Sequence, residues 1–119
     1  MKIPEDAKEI SEGGIVSFAT SLKSQANVTL LGSGVILNKD EYLLVDCEMR
    51  LARENILKNP NCCLIVYNYK KKIGWKIFGK GKYFDKGEYP EIAKKHVEDE
   101  PYKAKGAIVV KIKNIFKTK

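Results

Sequence analysis

Histidine is almost missing from this chain of 119 residues: His96 is the only one. No serine, cysteine or lysine stands with it in a nucleophile–base–acid pattern, and its place in an amphipathic run predicts a packed helical residue on the inner or flanking side. G-x-G-x-x-G and G-x-x-x-x-G-K-[ST] are both absent, which removes the usual dinucleotide and nucleoside-triphosphate loops. No apolar run approaches the roughly 18–20 residues that a membrane span requires. The opening stretch, MKIPEDAKEISEGG, is polar and acidic and lacks the apolar centre of a signal peptide. Cysteine is scarce and odd in number: Cys47, Cys62 and Cys63 lie in apolar runs without metal-ligand spacing. Reduced thiols in a cytoplasm are the expectation. Adjacent Cys62 and Cys63 point to opposite faces of a strand, which argues against structural zinc, and Asp46 and Glu48 beside Cys47 lack partners for a metal. Any chemistry must then come from a bound cofactor.

What is present fits one domain, residues 1–119, large enough to bury a core without staples. The formal charge is +7 and unevenly spread. Residues 1–59 carry seven basic and nine acidic side chains, whereas residues 60–119 carry fifteen and six. Much of the excess lies in YKKKIGWKIFGKGK, Tyr69 to Lys82. Lysines on exposed strand edges discourage edge-to-edge pairing. The alternative is a nucleic-acid surface using Lys70 to Lys82 with Tyr69, Trp75 and Phe78.

Pattern and turn chemistry divide the chain into short elements. Ile3, Ala7 and Ile10 predict a helix over Pro4 to Glu12, ended by Gly13-Gly14. Strands follow at Ile15 to Thr20 and Ala26 to Leu31, joined by a turn at Lys23, Ser24 and Gln25. Further strands are expected at Val35 to Leu37, Tyr42 to Cys47 and Cys62 to Tyr67. From Gly74 to Phe84, Trp75, Ile77, Gly79, Gly81 and Tyr83 share one face, and Lys76, Phe78, Lys80, Lys82 and Phe84 the other. Two glycines two apart imply tight curvature or close approach of another segment. Asp85 can cap a helix from Lys86 to Val97 with Tyr89, Ile92, Ala93 and His96 on its apolar side. Ala107 to Phe116 reads as a long final strand. About seven strands with short helices between them predict a β-barrel or sandwich.

The stretch EYLLVDCEMRLARENILKNPNCCLIVYN carries the functional signal. It reads as a buried strand, a polar turn, a short helix stopped by Asn59-Pro60, and a second buried strand. Arg50 and Arg53 fall in the first helical turn, where backbone N–H groups lack partners and the dipole already favours anions. Two cations there suggest an anion between them, phosphate above all. The alternative is a pair of solvated arginines supported by Glu48 and Glu54.

Phe18-Ala19-Thr20 at the end of the first strand, Asn27 to Leu31 in the second, LLVDCEMRLARENILKNP after the fourth and GWKIFGKGKYF in the sixth resemble the pyridoxamine 5′-phosphate oxidase-like family of FMN-binding split barrels, in particular its small single-domain members. The resemblance spans nearly the whole chain and is most specific at R-x-x-R-E-N-[ILV]-x-x-N-P, Arg50 to Pro60. It implies a mainly β fold, a six- to seven-stranded Greek-key split barrel with short flanking helices, that forms a homodimer with FMN in grooves between the subunits. It further implies a small redox carrier or an FMN-dependent oxidoreductase, with an unknown redox partner or small-molecule substrate. A deazaflavin or haem in place of FMN is the alternative. The family commonly reads S-R-K-[TA] before R-E-N, whereas this chain reads Met49, Arg50, Leu51, Ala52; the first arginine stays and the serine and lysine are gone. The cofactor positions the resemblance implies are Val28, Thr29 and Leu30 in the second strand, Val45, Asp46 and Cys47 at a strand end, Arg50, Leu51, Ala52, Arg53 and Asn55 in the helix, and Trp75 near the partner-subunit side.

Overall fold

The computed structural model describes Ile3, residues 15–32 and residues 34–118. The helix expected over Pro4 to Glu12 lies outside these residues. Seven antiparallel strands form one sheet: β1 (Ile15–Leu22), β2 (Gln25–Leu31), β3 (Gly34–Asn38), β4 (Glu41–Asp46), β5 (Asn61–Asn68), β6 (Ile73–Phe84) and β7 (Gly106–Thr118). Two helices punctuate them, α1 (Arg50–Lys58) and α2 (Glu88–His96). The spatial order is β2-β1-β5-β6-β7-β4-β3. β2 and β3 are thus opposite edges of the sheet, yet only residues 32 and 33 separate them in the chain. A link that short spans about 10 Å, so the sheet must curl until its edges meet. The result is a split barrel, as expected.

Alternation decides the inside. Val16, Phe18, Leu64, Val66, Trp75, Ile77, Ile108 and Val110 project into the barrel and form its core with Tyr42 and Leu44. The glycine pair in β6 has two separate causes. At Gly79 the ladder with β7 shifts register after Phe78, and a Cβ there would stand 2.3 Å from the Lys111 carbonyl oxygen. At Gly81 a Cβ would press on Ile56 of α1 at 3.1 Å. One glycine admits a neighbouring strand and the other admits a helix. The β1–β2 hairpin turns on Lys23 and Ser24, both at positive φ (51° and 67°), the geometry of a tight hairpin turn. Gln25 belongs to β2, paired with Leu22.

α1 closes one end of the barrel on Ala52, Asn55 and Ile56. Asn55 Nδ2 donates to Thr20 Oγ1 at 3.0 Å, and Asn59 Nδ2 donates to the Ser21 carbonyl at 3.1 Å, so the helix is pinned to β1. α2 departs from expectation at both ends. It starts at Glu88 behind Gly87 (φ 96°), with no side-chain cap from Asp85. Its buried line runs through Ala93 to Val97, four residues apart, which turns His96 out to an exposed position. The apolar stripe is simply one residue off the one His96 would share.

Candidate functional site

β4 ends at Asp46, and the chain turns through Cys47, Glu48 and Met49 into α1. Here β2 approaches from one side and the connection from α2 to β7 from the other. Two hollows open at this corner. The larger, about 390 Å³, is mainly apolar; Thr29, Leu31, Val45, Cys47 and Met49 form its walls, and Leu30 and Tyr102 stand among its lining. The smaller, about 240 Å³, is lined by Asp46, Glu48, Met49, Arg50, Arg53 and Lys105. Glu48 and Met49 border both, so an apolar recess leads directly to a charged one.

Asp46 organises the charged recess from a position with no exposure at all. Its Oδ1 accepts the Met49 N–H at 2.8 Å, holding the turn into α1. Its Oδ2 accepts the Tyr83 hydroxyl at 2.6 Å and lies 3.7 Å from Arg53 Nη1. Its backbone oxygen accepts the Lys105 N–H at 2.7 Å. A buried carboxylate is tolerable when both of its oxygens are so engaged. The Arg53 guanidinium also sits 5.9 Å from the Tyr83 ring centroid. Burial, and then the bond to Asp46, push the Tyr83 phenol above its ordinary value. Arg53 is held more firmly protonated by its bond to Tyr83 and by the Asp46 charge.

This arrangement replaces the expected support from Glu54: Arg53 pairs with Asp46, and Glu48 faces Lys105 at 3.9 Å. Arg50 is exposed and has no ion pair among the described residues. The first turn of α1 contains no acidic residue, and Met49 provides no side-chain cap. The Arg50 N–H is given to the Glu48 carbonyl at 3.0 Å and the Arg53 N–H to the Met49 carbonyl at 2.9 Å, so what the first turn offers the recess is the Arg50 guanidinium with no acid in its own turn. The Cys47 thiol is raised by burial, then by Asp46 and Glu48, with Lys105 opposing. Its thiolate is thereby disfavoured.

Of the residues singled out in the sequence, Thr29, Leu30, Val45 and Cys47 meet at the apolar recess, and Asp46, Arg50 and Arg53 at the charged one. Val28 faces away on the outer side of β2 at 69% exposure, and Leu51 points to solvent. Ala52 and Asn55 are buried beneath α1. Trp75 lines neither recess; it lies in the barrel core, and its indole N–H is buried without a partner among the described residues. It is therefore no more available to stack on a nucleic acid than to touch this groove, whereas Tyr69 and Phe78 are exposed. Leu31, Gly32, Val97, Tyr102 and Lys105 line the site without having been signalled. For Leu31 the signal existed, since it shares a strand face with Thr29. Tyr102 and Lys105 arrive through tertiary pairing of β4 with β7, which no local pattern reveals. Among the described residues no group of side chains could hold a metal ion, and no helix is long and apolar enough to cross a membrane.

No family model matches the chain. It is 31% identical over 124 residues to an uncharacterized protein of Methanocaldococcus jannaschii, covering all of this chain and 83% of that protein. HupZ of Group A Streptococcus has a TM-score of 0.88 at 20% identity, covering 97% of this chain and 93% of HupZ. An FMN-binding protein from Syntrophomonas wolfei subsp. wolfei reaches 0.83 at 15% identity, with 97% and 85% covered. An F420 reductase reaches 0.76 at 15% identity, with 96% and 98% covered. At such identities the structural likeness is one of fold. The chain therefore belongs to one family with the Methanocaldococcus jannaschii protein, and its fold is that of the pyridoxamine 5′-phosphate oxidase-like split barrels.

Proposed function

We propose that this protein binds FMN and works as a small redox carrier or flavin-dependent oxidoreductase. One observation carries the reading: an apolar recess leads into one where Arg50, Arg53 and Lys105 outnumber Asp46 and Glu48, at a helix whose first turn has no acid. A flavin asks for that pairing, with apolar walls for the ring and a helix N-terminus plus an arginine for the phosphate. The donor set fits. Arg50 would hold the phosphate with the first N–H groups of α1, Arg53 would add charge while tied to Asp46, and Thr29, Val45, Cys47 and Met49 would flank the ring. When bound, FMN would supply one- or two-electron transfer; the chain orients it and keeps water from its apolar side.

The larger recess, about 390 Å³, is at the small end for a cofactor site. A second copy of the chain supplies the missing wall in this reading. Val28 and Leu30 are 69% and 70% exposed beside it on the edge strand β2, an apolar edge that a homodimer would cover. The free thiols support a reducing, cytoplasmic setting. The fold shared with an F420 reductase supports a deazaflavin as the second reading. The visible spectrum of the purified protein separates the two.

Titration with FMN, followed by desalting, tests the main reading; flavin absorbance that does not stay with the protein sinks it. Arg50→Ala should weaken FMN about 10- to 100-fold, the worth of a charge-assisted bond, and leave riboflavin nearly untouched. Equal losses for both would make Arg50 structural. A mass near 13.5 kDa by light scattering with flavin present would refute the dimer.

A further inference from the structure

The connection from α2 to β7, Val97 to Lys105, contributes to both recesses. Val97 is buried beneath α2 with Leu43, Val45 and Ala93, and its carbonyl accepts the Glu100 N–H at 3.0 Å. At the other end the Lys105 N–H is fixed to the Asp46 carbonyl. The segment is thus anchored on either side of Tyr102. That side chain is 45% exposed, lines the apolar recess and reaches towards the end of β2, where a Cβ on Gly32, the next residue, would lie 3.8 Å from its hydroxyl. A half-exposed aromatic on the rim of an apolar recess offers a stacking face to a planar ligand. Lys105 lines the charged recess, and its only ion pair among the described residues is to Glu48, 3.9 Å away with both side chains well exposed. Such a pair is weak and readily exchanged for a stronger anion. Leu51, by contrast, is 49% exposed and brings no charge.

We propose that the α2–β7 connection is a wall of the cofactor site, with Tyr102 stacking on the flavin ring and Lys105 supplying the second cation at its phosphate. Lys105 thereby makes good the charge that Leu51 does not carry. The inference rests on the flavin reading above and goes beyond it, because it names contacts in a part of the chain outside the arginine helix.

The test uses the full-length protein with FMN and riboflavin, read by fluorescence and affinity. A stacked phenol quenches flavin emission, so Tyr102→Leu should brighten the bound flavin severalfold and weaken FMN and riboflavin alike, by about three- to tenfold. Tyr102→Phe should keep the affinity. Lys105→Gln should weaken FMN by about tenfold, spare riboflavin and lessen the salt dependence of FMN binding. Both positions are exposed, so folding should survive, which circular dichroism checks. Emission and affinities within twofold of wild type in Tyr102→Leu overturn the stacking role; equal effects on FMN and riboflavin, or none, in Lys105→Gln overturn the phosphate role. If wild type holds FMN and Arg50→Ala discriminates while these variants do not, the flavin reading stands and this wall falls. If wild type holds no flavin, both fall.

Discussion

The outer surface of the sheet has two halves with the same alternating pattern and different fates. On β4 and β7, Leu43, Val45, Ala107 and Val109 face outward and lie beneath α2, packed with Ala93 and Val97. Across β2, β1, β5, β6 and the end of β7, the register aligns Leu30, Ser17, Ile65, Lys76 and Phe116 in one row and Val28, Ala19, Cys63, Phe78 and Asn114 in the next. Phe78 and Phe116 meet edge to face at 6.0 Å. In this second half Val28, Leu30 and Phe116 are each more than half exposed. Alternation tells which residues turn away from the barrel core. It does not tell what will cover them. One half is finished by the chain's own helix; we read the other as finished by a second chain, with its lysines at the rim.

The largest effect should come from the covered half. Leu43→Ala opens a cavity under α2 and should cost about 2–5 kcal/mol in urea unfolding. A loss below 1 kcal/mol would mean that α2 is not a firm cover and would erase the contrast. Next comes Leu30→Asp on the bare half. It should raise the dimer dissociation constant about tenfold or more by sedimentation, while the monomer unfolds at the same urea concentration as wild type. Unchanged association would remove Leu30 from the contact.

The vicinal thiols sharpen the contrast between inside and outside. Cys63, on the bare face, should react with a thiol reagent in the native protein, and more slowly as protein concentration rises. Cys62 donates to the Gly79 carbonyl from inside the barrel, and burial above all pushes its thiol up to about 12 from 9.0. Between pH 9 and about 12 the unfolded thiol ionises while the folded one stays protonated, so Cys62 makes stability fall as pH rises through that window. Replacing Cys62 with Ala should flatten this part of the pH profile, and an unchanged slope would contradict the assignment. Smallest of all, Phe116→Ala should move monomer stability by no more than about 0.5 kcal/mol, measured where the protein is dilute.

Much of the fold was legible because strands announce themselves locally. Val16, Phe18, Leu64, Val66 and Ile77 point inward as their alternation requires, and the Gly79–Gly81 pair marked a real close approach. His96 was misplaced because a helical stripe shifted by one residue turns a side chain about 100° around the axis. In the candidate groove, the residues that the sequence pointed to and that line a recess are Thr29 and Leu30 in β2 and Val45, Asp46, Cys47, Arg50 and Arg53 around the start of α1. The partner of Arg53 lies at the end of another element, so the nearer Glu54 was the natural expectation. Tyr102 and Lys105 reach the groove through strand pairing between β4 and β7, and Trp75 leaves it because barrel closure turns its face inward.

Asp46 carries a consequence for how such a chain can change over generations. It ties strand end, helix start, Tyr83 and Arg53 to one sealed charge, so none of these can drift singly without stranding the rest. Loss of Tyr83 or Arg53 would leave a buried carboxylate short of a partner and weaken the fold together with the groove. Among relatives the three side chains are expected to change as a set, while Arg50, exposed and tied to none of them, can be exchanged without cost to the fold.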